Sequence, residues 1–484
     1  MEAGEGAARH PWWVLVGACT GLFVLMLDST VVTLALPSID ADLHASVDGL
    51  QWIQNAYLLT LAATVVTAGR LGDLRGRRRT FMVGMAIFAA GSVVAGAAGT
   101  EEVLIAGRVI QGVGGAALLS LSLAITAHAF PDASQARALG VWAAVSAVAL
   151  AIGPLVGGVL IEAASWRWIF IVNLPVAAIG IAILIARGDE SRDETAPPKV
   201  DLLGVGVLAV GLTATVFALV EADDWGWSSP RTLALLGGGV LALVGFWAVE
   251  RRREFPLVDF SLFRNRPYFG ASAAAFALVG AYWVVMYYQP QLLQRELAYS
   301  VIAAGVLVLP ITVPMAAFSP FSGRLIHRFG ARATMTAGMA IGLVGLVLQA
   351  VAGGSPSYLD LLPGFLCFGI SLALVYAPMS TAAMAAMPRS KVGIASGVLA
   401  MDRVLAGAVL LAISGALFQA SLESGGGLHG NAYGEAVARS LWAPVVVLAI
   451  GTVLTWLFVR SPDQTTAPAP REAAYHQHHR RFHL

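Results

Sequence analysis

The feature that most constrains this chain is a series of long apolar segments. A bilayer core about 30 Å thick is crossed by a helix of about 20 mostly apolar residues. Because lipid offers the backbone no hydrogen-bond partners, the segments predict an all-α integral membrane protein with 14 transmembrane helices. The segments lie near 12–36, 51–69, 81–98, 103–126, 138–163, 166–186, 202–221, 232–250, 268–293, 301–322, 333–352, 359–383, 393–420 and 439–459.

Composition excludes several function classes. Apolar residues make up 57% of the chain and charged residues only 12%, about half the share of a soluble domain. A formal charge of +1 excludes nucleic-acid binding through bulk positive charge. Cys19 and Cys367 lie in apolar runs, which excludes a disulfide framework and a Cys-rich metal site. No nucleotide-binding GxxxxGK[ST], HExxH or GxSxG motif occurs, so we expect neither an enzyme nor a bound cofactor.

The distribution of Lys and Arg predicts the orientation. With the N-terminus in the cytoplasm, the segments on that side hold 24 Lys and Arg and those on the other side hold four. The positive-inside rule then predicts a multi-pass protein of the inner (plasma) membrane with both termini cytoplasmic. Segment 251–267 mixes Arg with apolar residues, which predicts an amphipathic connector along the membrane surface.

An internal repeat predicts the domain organisation. GRLGDLRGRRR at 69–79 follows the second segment, and SGRLIHRFGAR at 322–332 follows the tenth. Such repetition is typical of secondary transporters, whose pseudo-symmetric halves enclose the substrate site. We therefore predict two pseudo-symmetric six-helix bundles with two extra helices between them, which sit apart from the bundles and face lipid. The boundaries are 1–200 for the first bundle, 201–256 for the extra pair, 257–463 for the second bundle and 464–484 for a disordered cytoplasmic tail.

Ionisable residues inside the segments need an explanation, since a charge at the bilayer centre costs about 2.5–3.5 kcal/mol. Asp28 and Arg108 fall at similar depths, so they can meet if the first and fourth helices are neighbours. Asp402 falls close to the midplane and is expected to face a cavity, with Arg403 about 100° away around the helix. We interpret Asp28 and Asp402 as proton-relay groups, Asp402 alternatively as a partner for a cationic substrate. A fixed structural ion pair is the alternative for Asp28 and Arg108, and helix packing or gating remains open for Arg403.

Two further groups suggest conformational roles. Asp73 lies among five Arg after the second helix, and a carboxylate there can cap a helix or lock one conformation by pairing with Arg. Positive-inside topology alone would explain the arginines but not Asp73. The fifth helix concentrates Gly153, Pro154, Gly157 and Gly158, which predicts a hinge or a tight helix interface, with ordinary Gly-rich packing as the alternative.

Aromatic residues suggest a lipophilic pocket. Such side chains bind flat apolar compounds and cations, although interfacial belts account for many aromatic residues in membrane proteins. The candidates are Trp52, Tyr57, Tyr282, Trp283, Tyr287 and Tyr288.

These motifs together resemble the major facilitator superfamily, and within it the 14-span drug:proton antiporters. The loop motif GxLaDrxGrrr is matched by Gly69, Leu71, Asp73, Gly76, Arg77, Arg78 and Arg79. The fourth-helix motif RxxQGxGaa is matched by Arg108, Gln111, Gly112, Gly114, Ala116 and Ala117. The fifth-helix motif is matched by Gly140, Gly153, Pro154, Gly157 and Gly158, with Ala149 in place of a Gly. The first-helix motif lDxTvvnvAlP is matched around Asp28, with Thr33 in place of Asn.

The resemblance implies export of lipophilic, often cationic, compounds in exchange for protons across the lipid bilayer. It implies that Asp28 and Arg108 couple to the proton, and Asp402 corresponds to an acidic residue that some members use. Conformational locking is implied for Gly69, Asp73, Gly76, Arg77, Arg78, Gly153, Pro154, Gly157 and Gly158. The candidate substrate contacts are Trp52, Tyr57, Gln111, Tyr287 and Asp402. Proton-coupled uptake of a small solute and a non-transporting membrane sensor remain alternatives.

Overall fold

The described chain is helical throughout. The computed structural model describes residues 10–130, 134–192, 201–253, 256–353, 357–388, 391–424 and 432–459. The predicted tail at 464–484 lies outside these ranges. Thirteen segments have the length and apolar composition to cross a membrane. The fourteenth is the more polar helix α2 (Val47–Arg75), which carries the buried amides Gln51, Gln54 and Asn55. The predicted 14-helix, all-α fold is confirmed.

The first bundle contains six membrane crossings, the sixth made of two consecutive helices. Side chains set two of its helix starts: Ser46 caps α2 and Thr100 caps α4. The carboxylate of Glu101 accepts a hydrogen bond from the Ser46 amide at 2.9 Å, which ties these two helix starts together. The helices are α1 (Pro11–Leu43), α2 (Val47–Arg75), α3 (Arg77–Gly96), α4 (Glu101–Ala129), α5 (Gln135–Ala163), α6 (Trp168–Ile171) and α7 (Asn173–Arg187).

The extra pair is only partly exposed to lipid. Its helices are α8 (Leu202–Val220), the short α9 (Ala222–Trp225) and α10 (Pro230–Glu250). α8 packs against α2 of the first bundle and against a helix of the second bundle, α15 (Val392–Ser424). The rings of Trp52 and Phe217 lie 5.4 Å apart at the α2–α8 contact. The expectation that the pair sits apart from the bundles is therefore wrong for α8, which covers the seam between them, while α10 remains largely exposed.

The second bundle again contains six crossings. Its first turn is a 3-10 helix at Phe260–Arg264. The helices are α11 (Arg266–Arg295), α12 (Val301–Leu307), α13 (Leu309–Val351), α14 (Tyr358–Ala385), α15, α16 (Ala432–Ser440) and α17 (Trp442–Phe458). α13 turns at Gly330, where φ is 80°, so α12 with the first part of α13 forms one crossing and the rest of α13 forms the next.

The two bundles repeat each other in detail. In the first, α1 packs against α4, α5 and α7; in the second, α11 packs against the equivalent helices α14, α15 and α17. The two copies of the sequence repeat contain equivalent turns, at Gly76 and at Gly330. Both glycines have a positive φ, a backbone conformation that favours glycine. Arg78 donates to the Leu184 carbonyl near the end of α7 at 2.8 Å. Arg332 lies over the Trp456 ring near the end of α17, 4.0 Å from its centroid.

The described part of the expected amphipathic connector packs several of its apolar side chains against the protein. Leu257, Val258 and Leu262 are buried. The carboxylate of Glu250 accepts hydrogen bonds from the amides of Leu257 at 2.5 Å and Val258 at 3.1 Å. These bonds fold the segment against the protein, so the apolar side chains that suggested membrane contact pack inside it instead.

Candidate functional site

A charged pair lies sealed inside the first bundle. Nη1 of Arg108 on α4 lies 2.5 Å from Oδ2 of Asp28 on α1, and neither residue is more than 1% exposed. The matched depths predicted this meeting, and the packing of α1 against α4 allows it. Gln111 donates to Asp28 Oδ1 at 3.2 Å and accepts from Arg108 at 2.8 Å. Gln111, predicted as a substrate contact, therefore belongs to this network.

Two residues that the sequence reasoning missed complete the network. Asn173, at the start of α7, donates to Asp28 Oδ1 at 3.4 Å and to Ser92 Oγ at 3.3 Å. Ser92 also accepts from Gln111 at 2.9 Å. The available signal was an isolated amide in the apolar run WIFIVNLP. The network thus joins α1, α3, α4 and α7, and side chains of α4 and α7 donate to the Asp28 carboxylate, which lowers the cost of burying it.

Tyr57 separates this pair from the space between the bundles. The Arg108 guanidinium carbon lies 4.1 Å from the centroid of the Tyr57 ring, and Arg108 Nε donates to the Ile53 carbonyl at 3.1 Å. Tyr57 also lines the central cavity. Asp28 is not among the residues that line it.

The central cavity lies between the two bundles. It comprises about 750 Å³ and is lined by α1, α2, α4 and α5 from the first bundle and by α11, α13, α14 and α15 from the second. Its wall is mainly apolar, with the aromatic rings of Tyr57, Tyr282, Trp283 and Tyr376. A concave, mostly apolar space with a few polar groups is the usual form of a small-molecule site.

The structure directs Asp402 and Arg403 to different neighbours. Asp402 is half-buried and accepts a hydrogen bond from Ser272 on α11 at 2.7 Å. It is not among the residues that line the central cavity. Arg403 lines the cavity, donates to Ser380 Oγ, and lies over the Tyr376 ring at 5.0 Å. Arg403 therefore supplies the formal charge on the described cavity wall.

The remaining predicted pocket aromatics lie elsewhere. Trp52 is half-buried against Phe217 of α8. Tyr287 and Tyr288 line a second space of about 720 Å³ near the end of the bundles where α1 terminates. Of the five predicted substrate contacts, Tyr57 alone lines the central cavity in the described part of the chain.

The glycines of α5 form a tight interface. A Cβ at Gly153 would stand 1.9 Å from Thr30 Oγ1, and one at Gly158 would stand 2.9 Å from the backbone of Ile302 on α12. On the α12 side, a Cβ at Gly305 would stand 2.4 Å from the Pro154 carbonyl oxygen. α5 runs unbroken past Pro154, so in this conformation the motif packs two bundles together and does not form a sharp break.

The loop motif after α2 clamps the first bundle. Asp73 pairs with Arg77 at 2.8 Å, and the carboxylate of Glu190 accepts from the amides of Arg78 and Arg79 at the start of α3. Gly76 turns the chain with φ of 115° and has no room for a Cβ beside Glu190. Gly69 faces Ser120 of α4. The described contacts of Asp73, Arg77 and Arg78 thus join α2, α3 and α7 within one bundle.

Four hydrogen bonds among the described residues join α1, α2 and α5 to the second bundle at the end where α1 terminates. This end is here called the opposite face, and the other end is called the basic face. None of the four was foreseen from the sequence. Gln294 donates to the Leu34 carbonyl at 3.0 Å, and Gln419 donates to Asp48 at 3.0 Å. The others join Arg295 to Asp40 at 2.6 Å and the Ile302 amide to Glu162 at 2.9 Å.

Comparisons with known proteins agree with this architecture. The chain is 34% identical over 411 residues to the multidrug resistance protein Stp of Mycobacterium tuberculosis, covering 85% of this chain and 76% of that protein. It is 33% identical over 421 residues to the tetracenomycin C resistance and export protein of Streptomyces glaucescens, covering 85% and 77%. Its fold is similar to that of the xylose transporter XylE from E. coli, with a TM-score of 0.64 and 14% identity over 94% of this chain and 99% of that one.

The profile of the Major Facilitator Superfamily matches residues 18–411. This match covers most of the first bundle, the extra pair and the second bundle as far as residue 411. The relatives compared above are a multidrug resistance protein and a resistance and export protein. The family and its relatives are membrane transporters and not enzymes. The chain therefore belongs to the Major Facilitator Superfamily.

Proposed function

We propose that the chain is a proton-coupled antiporter that exports lipophilic small molecules by alternating access. The observation that carries the proposal is the position of Tyr57. Its ring lies against the guanidinium of the buried Asp28–Arg108 pair and also lines the cavity between the bundles. One side chain thus contacts both the ionisable pair and the space in which a cargo would bind.

The coupling follows from the charge balance of the pair. Protonation of Asp28 removes the negative charge opposite Arg108, and a buried guanidinium without its partner is strongly destabilised. Arg108 then shifts toward its other acceptors and moves the Tyr57 ring. Because coupling between two sites is reciprocal, a cargo that displaces Tyr57 changes the proton affinity of Asp28 by the same factor. Asp402 is proposed as a second, weaker proton site.

The orientation is also a proposal. The bias of Lys and Arg supports a cytoplasmic basic face and cytoplasmic termini, as the positive-inside rule describes. The four hydrogen bonds between the bundles then close the external side, and cargo enters from the cytoplasm or the inner leaflet. We keep 1–200, 201–256 and 257–463 as the proposed limits of the first bundle, the extra pair and the second bundle.

The driving force is sufficient for export. One proton entering through 100 mV releases about 2.3 kcal/mol, and one pH unit adds about 1.4 kcal/mol. Together they support a gradient of several hundred-fold for a neutral cargo exchanged with one proton.

Transport by the purified protein tests the proposal. Proteoliposomes containing the full chain are loaded with tetracenomycin C, the compound in the name of one relative, and an inward or outward pH gradient is imposed. We expect cargo to move against the proton flow and to stop when the gradient is dissipated. Movement with the proton would establish uptake instead, and absence of gradient-driven movement for every lipophilic compound tried would contradict a transport function.

A further inference from the structure

We propose that the central cavity selects aromatic compounds that carry an acidic oxygen, such as a carboxylate or phenolate, and that Arg403 binds this oxygen. The inference specifies the cargo of the proposed export function and rests on that function for its role in transport. Binding itself rests on the cavity alone. The resemblance implies lipophilic cations as cargo, but the described cavity wall has no carboxylate that could pair with a cation.

The first step is the charge of the cavity. Arg403 is the formally charged residue among those that line it. Within the described chain, no carboxylate oxygen pairs with Arg403 within 4.0 Å. Asp402, its neighbour in sequence, turns toward Ser272 instead. Arg403 therefore presents a positive charge at the cavity wall, while the Asp402 carboxylate, which interacts electrostatically with it, lies off the described wall against Ser272. A guanidinium at an apolar wall attracts anions and disfavours cations.

The second step is the supply of free donors. A guanidinium has five N–H donors in a planar fork. In Arg403 a bond from Nη2 goes to Ser380, while Nε is buried and has no acceptor in the described structure. Tyr376 and Ser380, one turn apart on α14, hold the group in place. A buried donor without an acceptor is destabilising, so an anionic oxygen from the cargo would satisfy it with a charge-assisted hydrogen bond.

The third step is the shape and lining of the space. Rings of Tyr57, Tyr282, Trp283 and Tyr376 surround an otherwise apolar wall, which suits a flat aromatic body. The buried hydroxyl of Tyr282 also has no partner in the described chain, so the wall carries a second unsatisfied polar group.

Equilibrium binding of three matched probes tests the inference without transport. Anthracene-9-carboxylate, its methyl ester and 9-(aminomethyl)anthracene share one ring system and differ in charge. Fluorescence titrations use the full chain in phosphatidylcholine nanodiscs, which contain no anionic lipid, with empty nanodiscs to correct for partition. The variants are Arg403→Gln, Arg403→Lys and, as matched control, Arg231→Gln on the exposed surface of α10.

We expect the carboxylate to bind most tightly and the amine most weakly. Arg403→Gln should weaken carboxylate binding about ten-fold and ester binding less than about two-fold, which also shows that the variant is folded. Arg403→Lys should give an intermediate affinity, and Arg231→Gln should match the wild type. Equal or tighter binding of the amine, no saturable binding of the carboxylate, or equal weakening of all probes by Arg403→Gln would overturn the inference. Intact binding without gradient-driven transport would instead contradict the proposed function.

Discussion

The two bundles share their helix packing but differ in their polar centres. In the first, a carboxylate and a guanidinium from two helices pair at 2.5 Å, away from the cavity. In the second, Asp402 and Arg403 are adjacent in sequence, yet one bonds to Ser272 and the other lines the cavity. Under the function and the cargo specificity proposed above, equivalent scaffolds carry different tasks: the first bundle holds the group that exchanges a proton, and the second offers a charge to the cargo.

Helix geometry explains the difference. Asp28 and Arg108 come from different helices at equal depth, so their side chains point toward one another across the α1–α4 contact. Consecutive residues on one helix point about 100° apart, so Asp402 and Arg403 have separate surroundings. A sealed pair can change only by gaining or losing a proton or by a movement of its helices, whereas a charge at a cavity wall is available to a ligand.

The largest expected effect is that of Asp28→Asn. The amide has nearly the same shape and can still accept a hydrogen bond, but it cannot take up a proton and leaves Arg108 without its counter-charge. We expect gradient-driven export to fall roughly a hundred-fold, in line with breaking a buried ion pair, while probe binding without a gradient stays within a few-fold. Proteoliposome assays measure the export rate, and titration in nanodiscs measures probe binding. Export at the wild-type rate would show that the pair is only structural.

A smaller effect is expected for Gly153→Ala, with Gly140→Ala as its control on the same helix. The methyl group added at Gly153 would stand 1.9 Å from Thr30 Oγ1, whereas Gly140 has no neighbour within 4 Å. We expect Gly153→Ala to lower the thermal unfolding temperature by several degrees and export about ten-fold, through overpacking of roughly 1–3 kcal/mol. Gly140→Ala should leave both unchanged or raise stability slightly. Equal stability and equal export in the two variants would show that close packing of α5 on α1 at Gly153 is not required.

Asp402→Asn should have a moderate effect that separates the two polar centres. Its hydrogen bond from Ser272 survives in the amide, and it has no ion-pair partner within 4.0 Å in the described chain. We expect export to fall by only a few-fold and the pH at half-maximal export rate to differ from that of the wild type. Ser272→Ala, which removes the donor to Asp402 but keeps the carboxylate, is the matched variant. Steady-state export measured from about pH 5.5 to 8.5 provides the test. A loss as large as that of Asp28→Asn would mean that both bundles handle the proton equally.

The smallest effect is expected for Arg295→Gln. Arg295 and Asp40 are partly exposed at the opposite face, and such pairs contribute at most about 1 kcal/mol. The variant should shift the population away from the closed opposite face by about five-fold or less, visible as faster labelling of a cysteine placed at Leu50 beside the second cavity. Arg231→Gln serves as the charge-matched control. No change in labelling would show that the other three bonds suffice.

The sequence predicted the helix count, the repeat and the meeting of Asp28 with Arg108, because hydropathy, motif spacing and depth along a helix are local properties. It did not predict that α8 packs on α2 and α15, since an apolar helix looks the same whether it faces lipid or protein. Nor did it show that Arg403 lines the cavity, because residue identity alone gave no rotational setting for α15. The amides Gln51, Gln54 and Asn55 were a visible signal that α2 is not a lipid-facing helix.

Proton release on binding tests the central claim most directly. Anthracene-9-carboxylate is already ionised at neutral pH, so any proton change that follows its addition to the weakly buffered protein reflects release or uptake by the protein. A pH-sensitive dye records this change for the wild type, Asp28→Asn and Asp402→Asn. We predict proton release on binding for the wild type and Asp402→Asn, and a much smaller release for Asp28→Asn, in which only the weaker site at Asp402 remains. A change of equal size in Asp28→Asn would contradict the assignment of proton coupling to the sealed pair.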